Sequence, residues 1–517
     1  MSQDKTIPVV DLFAGPGGLG EGFSAFNEGN TFRTLVSAEM DSSAHETLRL
    51  RAFYRILKRQ GGNALDSYYK FCHGESVHPC SKETIREWEE AENEAKQITL
   101  GTAKGNQELN STLDKARLGH SDRWVLIGGP PCQAYSLVGR SRNRGNIDYR
   151  AEDDHRHFLY KEYLKIIHQY QPPVFVMENV KGILSSTMNG NKIFHTILRD
   201  LSNPQLAIEN KKSGQKYKIY SLVVPTVFEH DMDPENINLN NFIIRAESYG
   251  IPQARHRVIL LGVREDLGKI PTHLEKCQEQ TVLDAIADLP PLRSKLSKEE
   301  DSSKLWALKI NHLLKKIKHE ASKKPELHEL VEILKKLPSY INHDLGLVAQ
   351  GRNLEALSQA DKSILTRWYH DERLEVWLNH ESRGHMASDL GRYLYASAFA
   401  AAYGRSPKGH LDFSLNGLQP NHKNWETGKF SDRFRVQLSH RPATTVTSHI
   451  AKDGHYYIHP DPSQCRSLTA REAARLQTFP DNYFFQGNRT QQLHQVGNAV
   501  PPLLAYKIAS VVHDLIA

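Results

Sequence analysis

A cysteine follows a short apolar segment in the first third of the chain. Residues 124–127, Trp-Val-Leu-Ile, predict a buried strand, and the Gly-Pro-Pro of residues 129–131 ends it just before Cys132. Open α/β sheets carry their chemistry at the carboxyl ends of their strands. A thiol at this place can act as a nucleophile, while a buried structural cysteine fits this segment alone equally well.

Two further stretches place charged residues beside predicted strands. A second apolar run ends at Glu178, and residues 241–263 predict an antiparallel hairpin with Arg255 and Arg257 at the start of its returning strand. If that strand runs antiparallel to its neighbours in the sheet, its beginning lies at the edge where they end. Under that condition the arginines join Cys132 and Glu178 at one rim, and a solvated hairpin is the alternative.

A glycine-rich loop joins the first predicted strand, residues 6–13, to a helix. Gly15, Gly17 and Gly20 give the spacing G-x-G-x-x-G, and Glu39 ends the second predicted strand about 20 residues later. This combination is typical of a site for an adenosine-bearing cofactor, whose ribose hydroxyls bind the acidic residue. It does not distinguish a site for a nicotinamide dinucleotide from a site for S-adenosylmethionine. The remaining alternative is a glycine-rich turn that binds no cofactor and only allows the chain to turn.

The composition limits the class of protein. The 517 residues are enough for two or more hydrophobic cores, and the net charge of +6 is compatible with a polyanionic partner without requiring one. Five cysteines in this length do not indicate a disulfide framework. Since no apolar run predicts a signal peptide or a membrane span, we expect a cytoplasmic protein without a membrane partner.

The order of the motifs predicts how the chain is divided. We expect a core at residues 1–265 with a helical insertion at about 42–120, a compositionally distinct section at 266–440, and a return to the core at 441–517. The section 266–440 interleaves basic and aromatic residues, as in surfaces that bind a phosphate backbone.

The insertion contains two cysteines and two histidines close together, at Cys72, His73, His78 and Cys80. Such residues can bind zinc, but their order and spacing do not match a zinc finger. We therefore expect no metal site.

Together these motifs resemble those of the DNA cytosine-5 methyltransferase family. The resemblance covers residues 6–40, 123–265 and 440–517, and the motifs follow the family's order along the chain. The combination of Pro-Pro-Cys-Gln, Glu-Asn-Val and Gln-x-Arg-x-Arg is highly specific. The matching segments are residues 11–18, 129–136, 178–180, 253–257, 471–475 and 497–502.

The resemblance implies a fold and a reaction. It implies an α/β fold, with a Rossmann-like S-adenosylmethionine-dependent methyltransferase sheet and an inserted target-recognition domain at 266–440. It also implies that the target cytosine is flipped out of the duplex and that Cys132 attacks C6, which makes C5 nucleophilic. On this pattern Glu178 holds N3 and the exocyclic amine, Arg257 binds O2, and Arg255 helps to fix the pocket.

The resemblance implies binding residues as well. The insertion obscures the acidic residue that the family uses near the adenine, so that residue is not assigned. For S-adenosylmethionine the matching positions are Phe13, Ala14, Gly15, Gly17, Gly18, Glu39, Met40, Pro130, Asn498 and Val500. For DNA we expect contacts from Thr445 and from the loop after the cysteine, at Gln133, Ser136, Arg140, Arg142 and Arg144.

The expected partner is double-stranded DNA. A cognate restriction endonuclease encoded nearby would fit a restriction–modification or defence role in a bacterial cytoplasm, and we expect a monomer. Three alternatives stay open: a methyltransferase of the same fold acting on tRNA, a nicotinamide-dependent oxidoreductase, and a non-catalytic DNA-binding relative. The long section 266–440 disfavours the first, and the trio Cys132, Glu178 and Arg257 disfavours the second. Cys132 and Glu178 disfavour the third, since a binding module needs neither.

Overall fold

A large mixed sheet with helices on both faces organises the part of the chain that the structure describes. The protein is represented by a computed structural model, which describes residues 6–131, 159–188, 190–211, 214–337, 345–349, 351–352, 363–420, 425 and 433–517.

The strands of the sheet follow mostly apolar runs, as expected of strands buried on both faces. They are β1 (Ile7–Leu12), β2 (Phe32–Glu39), β3 (Ala95–Gln97), β4 (Val125–Gly128), β5 (Val174–Val180), β6 (Tyr217–Tyr220), β7 (Val227–Phe228), β8 (Ile243–Arg245) and β9 (His256–Arg264). Within the described residues their order is β3-β2-β1-β4-β5-β9-β6-β7, with β8 paired to β9. The first five are parallel, and β9 runs antiparallel to β5 and β6.

The strand order reverses between β1 and β4, and this point positions the site. Leu12 pairs with Gly128 there, so the loops after β1 and β4 open on the same edge of the sheet. Glu178 lies near the end of β5 on that edge. Because β9 is antiparallel, its first residues lie at this same edge of the sheet, where Arg257 pairs with Val180. Open α/β sheets bind ligands in the crevice at such a switch point.

Helices cover the two faces of the sheet and form separate cores. Successive residues of β1, Val9 and Val10, lie in different cores because side chains alternate along a strand. The helices are α1 (Gly18–Ala25), α2 (Ser42–Gln60), α3 (Asp66–Cys72), α4 (Ile85–Glu94), α5 (Ala103–Lys115), α6 (Leu159–Tyr170), α7 (Ile193–Ser202), α8 (Pro204–Glu209), α9 (Val282–Ile286), α10 (Ser303–Ser322), α11 (His328–Lys336), α12 (Ile364–Tyr369), α13 (Ala387–Tyr403), α14 (Gly409–Asp412), α15 (Ala470–Leu476), α16 (Arg489–Asn498) and α17 (Pro502–Ile516).

The segment predicted as a helical insertion, residues 42–120, is not wholly helical. It contains β3, which pairs with β2 and extends the sheet. The sequence did not reveal this strand because Ala-Lys-Gln is too short to show a period of two. A hydrophobic cluster joins α2, α3 and α4 to Leu374 and Leu378, so the segment packs closely against the rest of the protein.

The section 266–440 contributes to two cores. Residues 282–289 and 365–377 pack in the core that contains the C-terminal helices. A further core brings together α10, α11 and α13 with residues 413–465. The division of the chain at residues 265 and 440 stays a prediction.

Residues 489–516 have the length and apolar composition that a membrane span would need, the one such stretch in the described part of the chain. They form two helices, α16 and α17, separated by residues 499–501. Of the apolar window, 67% is buried inside the protein, and α17 packs on α1. Packing in the core accounts for this composition.

Candidate active site

A cavity of about 450 Å³ opens at the carboxyl edge of β1, β4 and β5. Small-molecule sites in proteins have volumes of about 300–1,000 Å³. Eight of the ten residues predicted to bind S-adenosylmethionine line this cavity, and Glu178 lines it too. The eight are Phe13, Ala14, Gly15, Glu39, Met40, Pro130, Asn498 and Val500.

The glycine loop after β1 depends on its glycines for two different reasons. Gly15 and Gly17 have φ angles of 57° and 90°, in the left-handed region that favours glycine. At Gly18 the reason is contact, because a Cβ there would lie 2.1 Å from the carbonyl oxygen of Val500. The terminal motif therefore lies beside the glycine loop, and Gly17 and Gly18 are the two predicted cofactor residues that do not line the cavity.

Glu39 ties the end of β2 to the glycine loop. Its carboxylate accepts hydrogen bonds from the backbone N–H groups of Gly15, Met40 and Asp41, each at 2.8 Å. Burial raises the pKa of Glu39, and these hydrogen bonds offset only part of the rise. A carboxylate can accept about four hydrogen bonds, so Glu39 keeps acceptor capacity for a ligand hydroxyl.

Asp11 also lines the cavity, and the sequence reading did not single it out. It is fully buried, and among the described residues neither carboxylate oxygen accepts a well-aligned hydrogen bond, the backbone of Gly20 being the one group close enough to lower its pKa by such a contact. Burial raises the pKa of Asp11 to about 8, against smaller lowering effects of the Arg55 charge and the Gly20 backbone. An unpaired buried acid is costly, and a perturbed pKa in a cavity is typical of functional sites. The sequence feature that could have marked Asp11 as functional is its place as an aspartate inside an otherwise apolar strand.

Two predicted cofactor residues form the mouth of the cavity. Met40 is 63% exposed there although its side chain is apolar. Asn498 is exposed on the opposite side, where its amide lies 3.4 Å from the ring of His494. A flexible methionine at the rim is suited to pack against a flat ring.

Glu178 and Arg257 meet on neighbouring strands. Arg257 Nε lies 2.8 Å from Glu178 Oε1, and both side chains are largely buried. The contact is an ion pair in which the Nε–H is not aligned well enough for a hydrogen bond. Arg257 also donates to the His256 carbonyl at 2.9 Å. The antiparallel register of β9 thus brings together two of the predicted catalytic residues.

Arg255 performs a different task from Arg257, because it is fully buried among backbone groups. Its guanidinium donates to the carbonyls of Val446 at 2.7 Å and Gly497 at 3.3 Å. It therefore joins the start of β9 to the two segments that close the back of the site. The hydroxyl of Thr445, predicted to contact DNA, donates to the Ala254 carbonyl at 2.6 Å, and its role on DNA stays a prediction.

The loop that leads to the predicted nucleophile begins against Glu178. A Cβ on Gly129 would lie 3.1 Å from Glu178 Oε2, and Asn179 donates to the Pro130 carbonyl at 3.2 Å. Residues 132–158 lie outside the described part of the chain, and with them Cys132, Gln133, Ser136, Arg140, Arg142 and Arg144.

The arginines of the section 266–440 differ in the groups that they contact. Arg392 is buried, pairs with Asp389 at 2.7 Å and donates to two backbone carbonyls. Arg405 pairs with Asp412 at 2.6 Å. These two arginines stabilise the section itself, which the interleaving of basic and aromatic residues in the sequence did not reveal.

Arg383 contributes to an open polar cleft of about 240 Å³, whose charged lining residues are Arg383, Arg433, Lys452, Asp389 and Asp453. Arg433 Nε approaches Asp453 at 3.6 Å. Arg383 and Lys452 line the cleft without a carboxylate within ion-pair distance in the described part of the chain, and Arg383 donates to the Ile450 carbonyl at 3.5 Å.

Cys72, the last residue of α3, and His73, which follows it, make contacts within the protein. Cys72 is buried, which raises the pKa of its thiol to about 12, and His73 Nε2 accepts a hydrogen bond from the Glu375 backbone at 3.2 Å. No group of three His, Cys, Asp or Glu side chains within the described residues is placed to hold a metal ion.

Comparison with known proteins places this geometry in a family. The family model for C-5 cytosine-specific DNA methylases matches residues 93–209 and 227–514. Type II methyltransferase M.Bpa9945I of Bacillus paralicheniformis is 31% identical over 531 positions, covering 98% of this chain and 99% of the relative. Type II methyltransferase M.AgeI of Thalassovita gelatinovora is 26% identical and covers the same shares.

A solved structure shares the fold. A crystal structure from Escherichia coli, assigned as a DNA modification methyltransferase encoded within a prophage, matches with a TM-score of 0.51 at 19% identity, over 99% of both chains. Because the family model spans most of the sequence and the Bacillus relative aligns over nearly all of both chains, the protein belongs to the C-5 cytosine-specific DNA methylase family and is a DNA (cytosine-5-)-methyltransferase.

Proposed function

We propose that the protein transfers the methyl group of S-adenosylmethionine to C5 of cytosine within a specific duplex DNA sequence, as the modification enzyme of a restriction–modification or defence system. The observation that carries this proposal is the Glu178–Arg257 ion pair, whose carboxylate lines the same cavity as the glycine loop. A cytosine ring needs an acceptor for its amine and a donor for O2, and this pair offers both. The relatives' names, type II methyltransferases, support the modification role.

The residues around the cavity suit S-adenosylmethionine. Glu39 would accept from the ribose hydroxyls, and Met40 would pack on the adenine. The molecule carries two positive groups, a sulfonium and an ammonium, and the unpartnered carboxylate of Asp11 is a fitting neighbour for either. When bound, the sulfonium supplies an electrophilic methyl group.

The reaction would proceed through a covalent bond to the DNA base. The Cys132 thiolate adds to C6, forming an S–C6 bond and placing electron density on C5. C5 then takes the methyl group as the methyl–sulfur bond breaks, which leaves a neutral thioether. A base removes the C5 proton, and the S–C6 bond breaks to restore the ring and the thiolate. Since C6 is unreachable within a duplex, the base must first be flipped out.

Glu178 and Arg257 would stabilise the activated base from fixed positions. Glu178 supplies a proton to N3 and accepts from the exocyclic amine, while Arg257 donates to O2. Adjacent strands hold the pair, so little reorganisation would accompany the reaction. Arg255 acts as a positioning residue, because its hydrogen bonds go to backbone carbonyls.

The polar cleft lined by Arg383, Arg433 and Lys452 is the proposed contact to DNA beside the target base. Arg489, at the start of α16, donates to the Ser382 carbonyl next to this cleft, and Asn498, at the end of α16, lines the cavity. Ten helical residues span about 15 Å. A duplex with its target base at the cavity would therefore present phosphates or base edges to the cleft within half a helical turn.

Base-resolution mapping of 5-methylcytosine tests the proposed function. Plasmid DNA is mapped from cells that express the protein or its Cys132→Ser variant. We expect methylation confined to one short sequence and lost in the variant, with duplex binding retained. Methyl transfer to tRNA and not to duplex DNA would overturn the proposal in favour of an RNA substrate. No transfer to either, with DNA binding intact, would favour the non-catalytic alternative.

A further inference from the structure

Tyr483 holds the glycine loop from the side opposite the cavity. Its ring is fully buried, and its hydroxyl donates a hydrogen bond to the carbonyl of Pro16. We propose that Tyr483, fixed in place by Arg51 of α2, is a positioning residue that preorganises the glycine loop for S-adenosylmethionine. This assigns a role to the start of the 42–120 segment, and it rests on the proposed function because it requires the loop to bind that molecule.

Arg51 connects the glycine loop's helix to the Tyr483 segment. Its guanidinium donates to both carboxylate oxygens of Glu21 on α1, at 2.9 and 2.5 Å, and to the side-chain oxygen of Asn482 at 2.9 Å. The same group lies over the rings of Tyr54 at 4.0 Å and Tyr483 at 4.9 Å. Planar arginine is suited to both tasks, since its fork binds a carboxylate while its face stacks on aromatic rings.

Asn482, which precedes Tyr483, is fixed from two helices of the 42–120 segment. Tyr68 on α3 donates to the backbone carbonyl of Asn482 at 2.5 Å. The side-chain amide of Asn482 donates to the Tyr54 hydroxyl of α2 at 3.0 Å. The amide also donates to Asp371. The position of Tyr483 is thus determined by α2 and α3 together.

The glycine loop has little room to move away from this support. A Cβ on Gly17 would lie 2.7 Å from the Leu48 side chain of α2 and 3.0 Å from the Tyr483 hydroxyl. On the cavity side, Glu39 holds the neighbouring Gly15 N–H at 2.8 Å. The loop is therefore held from both sides, at Gly15 by Glu39 and at Pro16 by Tyr483.

The network is more elaborate than attachment of α2 requires. An apolar cluster already packs α2, α3 and α4 together, and buried ion pairs are weak evidence for stability when apolar packing is available. One attested role of buried ion pairs is to fix a single arrangement of the segments that they join. The arrangement fixed here is that of the backbone against which S-adenosylmethionine would lie.

Tyr483→Phe tests this role, with Tyr217→Phe as the matched control. Each variant removes one buried phenol hydroxyl that donates to a backbone carbonyl, but Tyr217 donates to Pro172 and belongs neither to the glycine loop nor to the network around Arg51. Binding of S-adenosylmethionine is measured by calorimetry on the full-length protein, with kcat and KM on duplex substrate. We expect Tyr483→Phe to raise the Kd and KM for S-adenosylmethionine about tenfold, with kcat at saturation within about twofold. Tyr217→Phe should leave these constants within about twofold of wild type.

The outcomes separate this proposal from the proposed function. Wild-type binding by Tyr483→Phe, or equal weakening in both variants, would overturn the positioning role while leaving methyl transfer intact. If the wild-type protein itself bound no S-adenosylmethionine, the proposed function would fail, and the positioning role with it.

Discussion

Replacing Asp11 with asparagine should stabilise the ligand-free protein at neutral pH while weakening its binding of S-adenosylmethionine. Asp11 is fully buried without a well-aligned hydrogen bond among the described residues, and burial raises its pKa from 3.8 to about 8. An acid whose pKa is raised on folding binds a proton that the unfolded chain releases. Stability is therefore complete below pH 3.8 and is lost as the pH rises towards 8.

The size of the effect follows from the shift in the pKa of Asp11. Each pH unit between 3.8 and 8 lowers the free energy of unfolding by about 1.4 kcal/mol. At pH 7 the interval is about three units, which corresponds to about 4 kcal/mol. Asparagine has nearly the same shape and no charge, so Asp11→Asn removes this dependence.

Equilibrium urea unfolding of both proteins at several pH values measures the effect. The other titrating groups are the same in both proteins, so their contributions cancel in the difference. We expect the stability advantage of Asp11→Asn to be about 3 kcal/mol larger at pH 7.5 than at pH 5. Binding of S-adenosylmethionine to the wild type should tighten as the pH rises towards 8, because the cation favours ionised Asp11, and this trend should be absent in the variant.

Glu21→Gln is the matched control, a second buried carboxylate on the element that follows the loop. Glu21 is paired with Arg51 through two hydrogen bonds, and its pKa is lowered because the charges of Arg51 and Arg55 outweigh the effect of burial. Its loss leaves the Arg51 charge buried without its partner, which should destabilise the protein by about 3–5 kcal/mol at pH 7. A stability difference for Asp11→Asn that does not change with pH, or has the sign of Glu21→Gln, would refute the reasoning.

The remaining predictions concern the loop, the base pocket and the cleft. Gly18→Ala places a Cβ 2.1 Å from the Val500 carbonyl, so we expect a lower melting temperature in scanning fluorimetry and at least about a tenfold weaker S-adenosylmethionine affinity in calorimetry. Arg257→Lys keeps the charge but loses the planar fork, so single-turnover methylation should slow by about 10–100-fold while duplex affinity changes by less than about threefold. Arg383→Ala and Lys452→Ala should each reduce the slope of log binding constant against log salt by about 1, and an unchanged slope would exclude those side chains from phosphate contact.

The sequence predicted which site residues lie together wherever a short motif directly follows a clear strand pattern. The glycine loop, Glu39 and the Glu178 stretch each follow an apolar run, so their meeting at one edge follows from the parallel sheet. The position of Arg257 depended on one condition, the antiparallel direction of its strand, which the structure meets.

Contacts between distant segments could not be predicted in the same way. Arg51 and Tyr483 are separated by over 400 residues, and nothing local marks Arg51 as a partner of Glu21. The edge strand β3 is too short for its pattern to be recognised. Asp11 lay within a recognised motif, but its lack of a partner is a property of the folded core alone.

Two features beside the glycine loop act in opposite senses on the stability of the ligand-free protein. Buried Asp11, in the strand that leads into the loop, opposes folding above pH 3.8 because the folded chain must keep a proton that the unfolded chain releases, whereas the Glu21–Arg51 pair and the Tyr483 hydrogen bond hold the loop and its helix in place. A buried acid at this place favours local opening towards water unless the backbone beside it is fixed. The 42–120 segment supplies that support, so a positive ligand can pair with Asp11 without first having to order the loop.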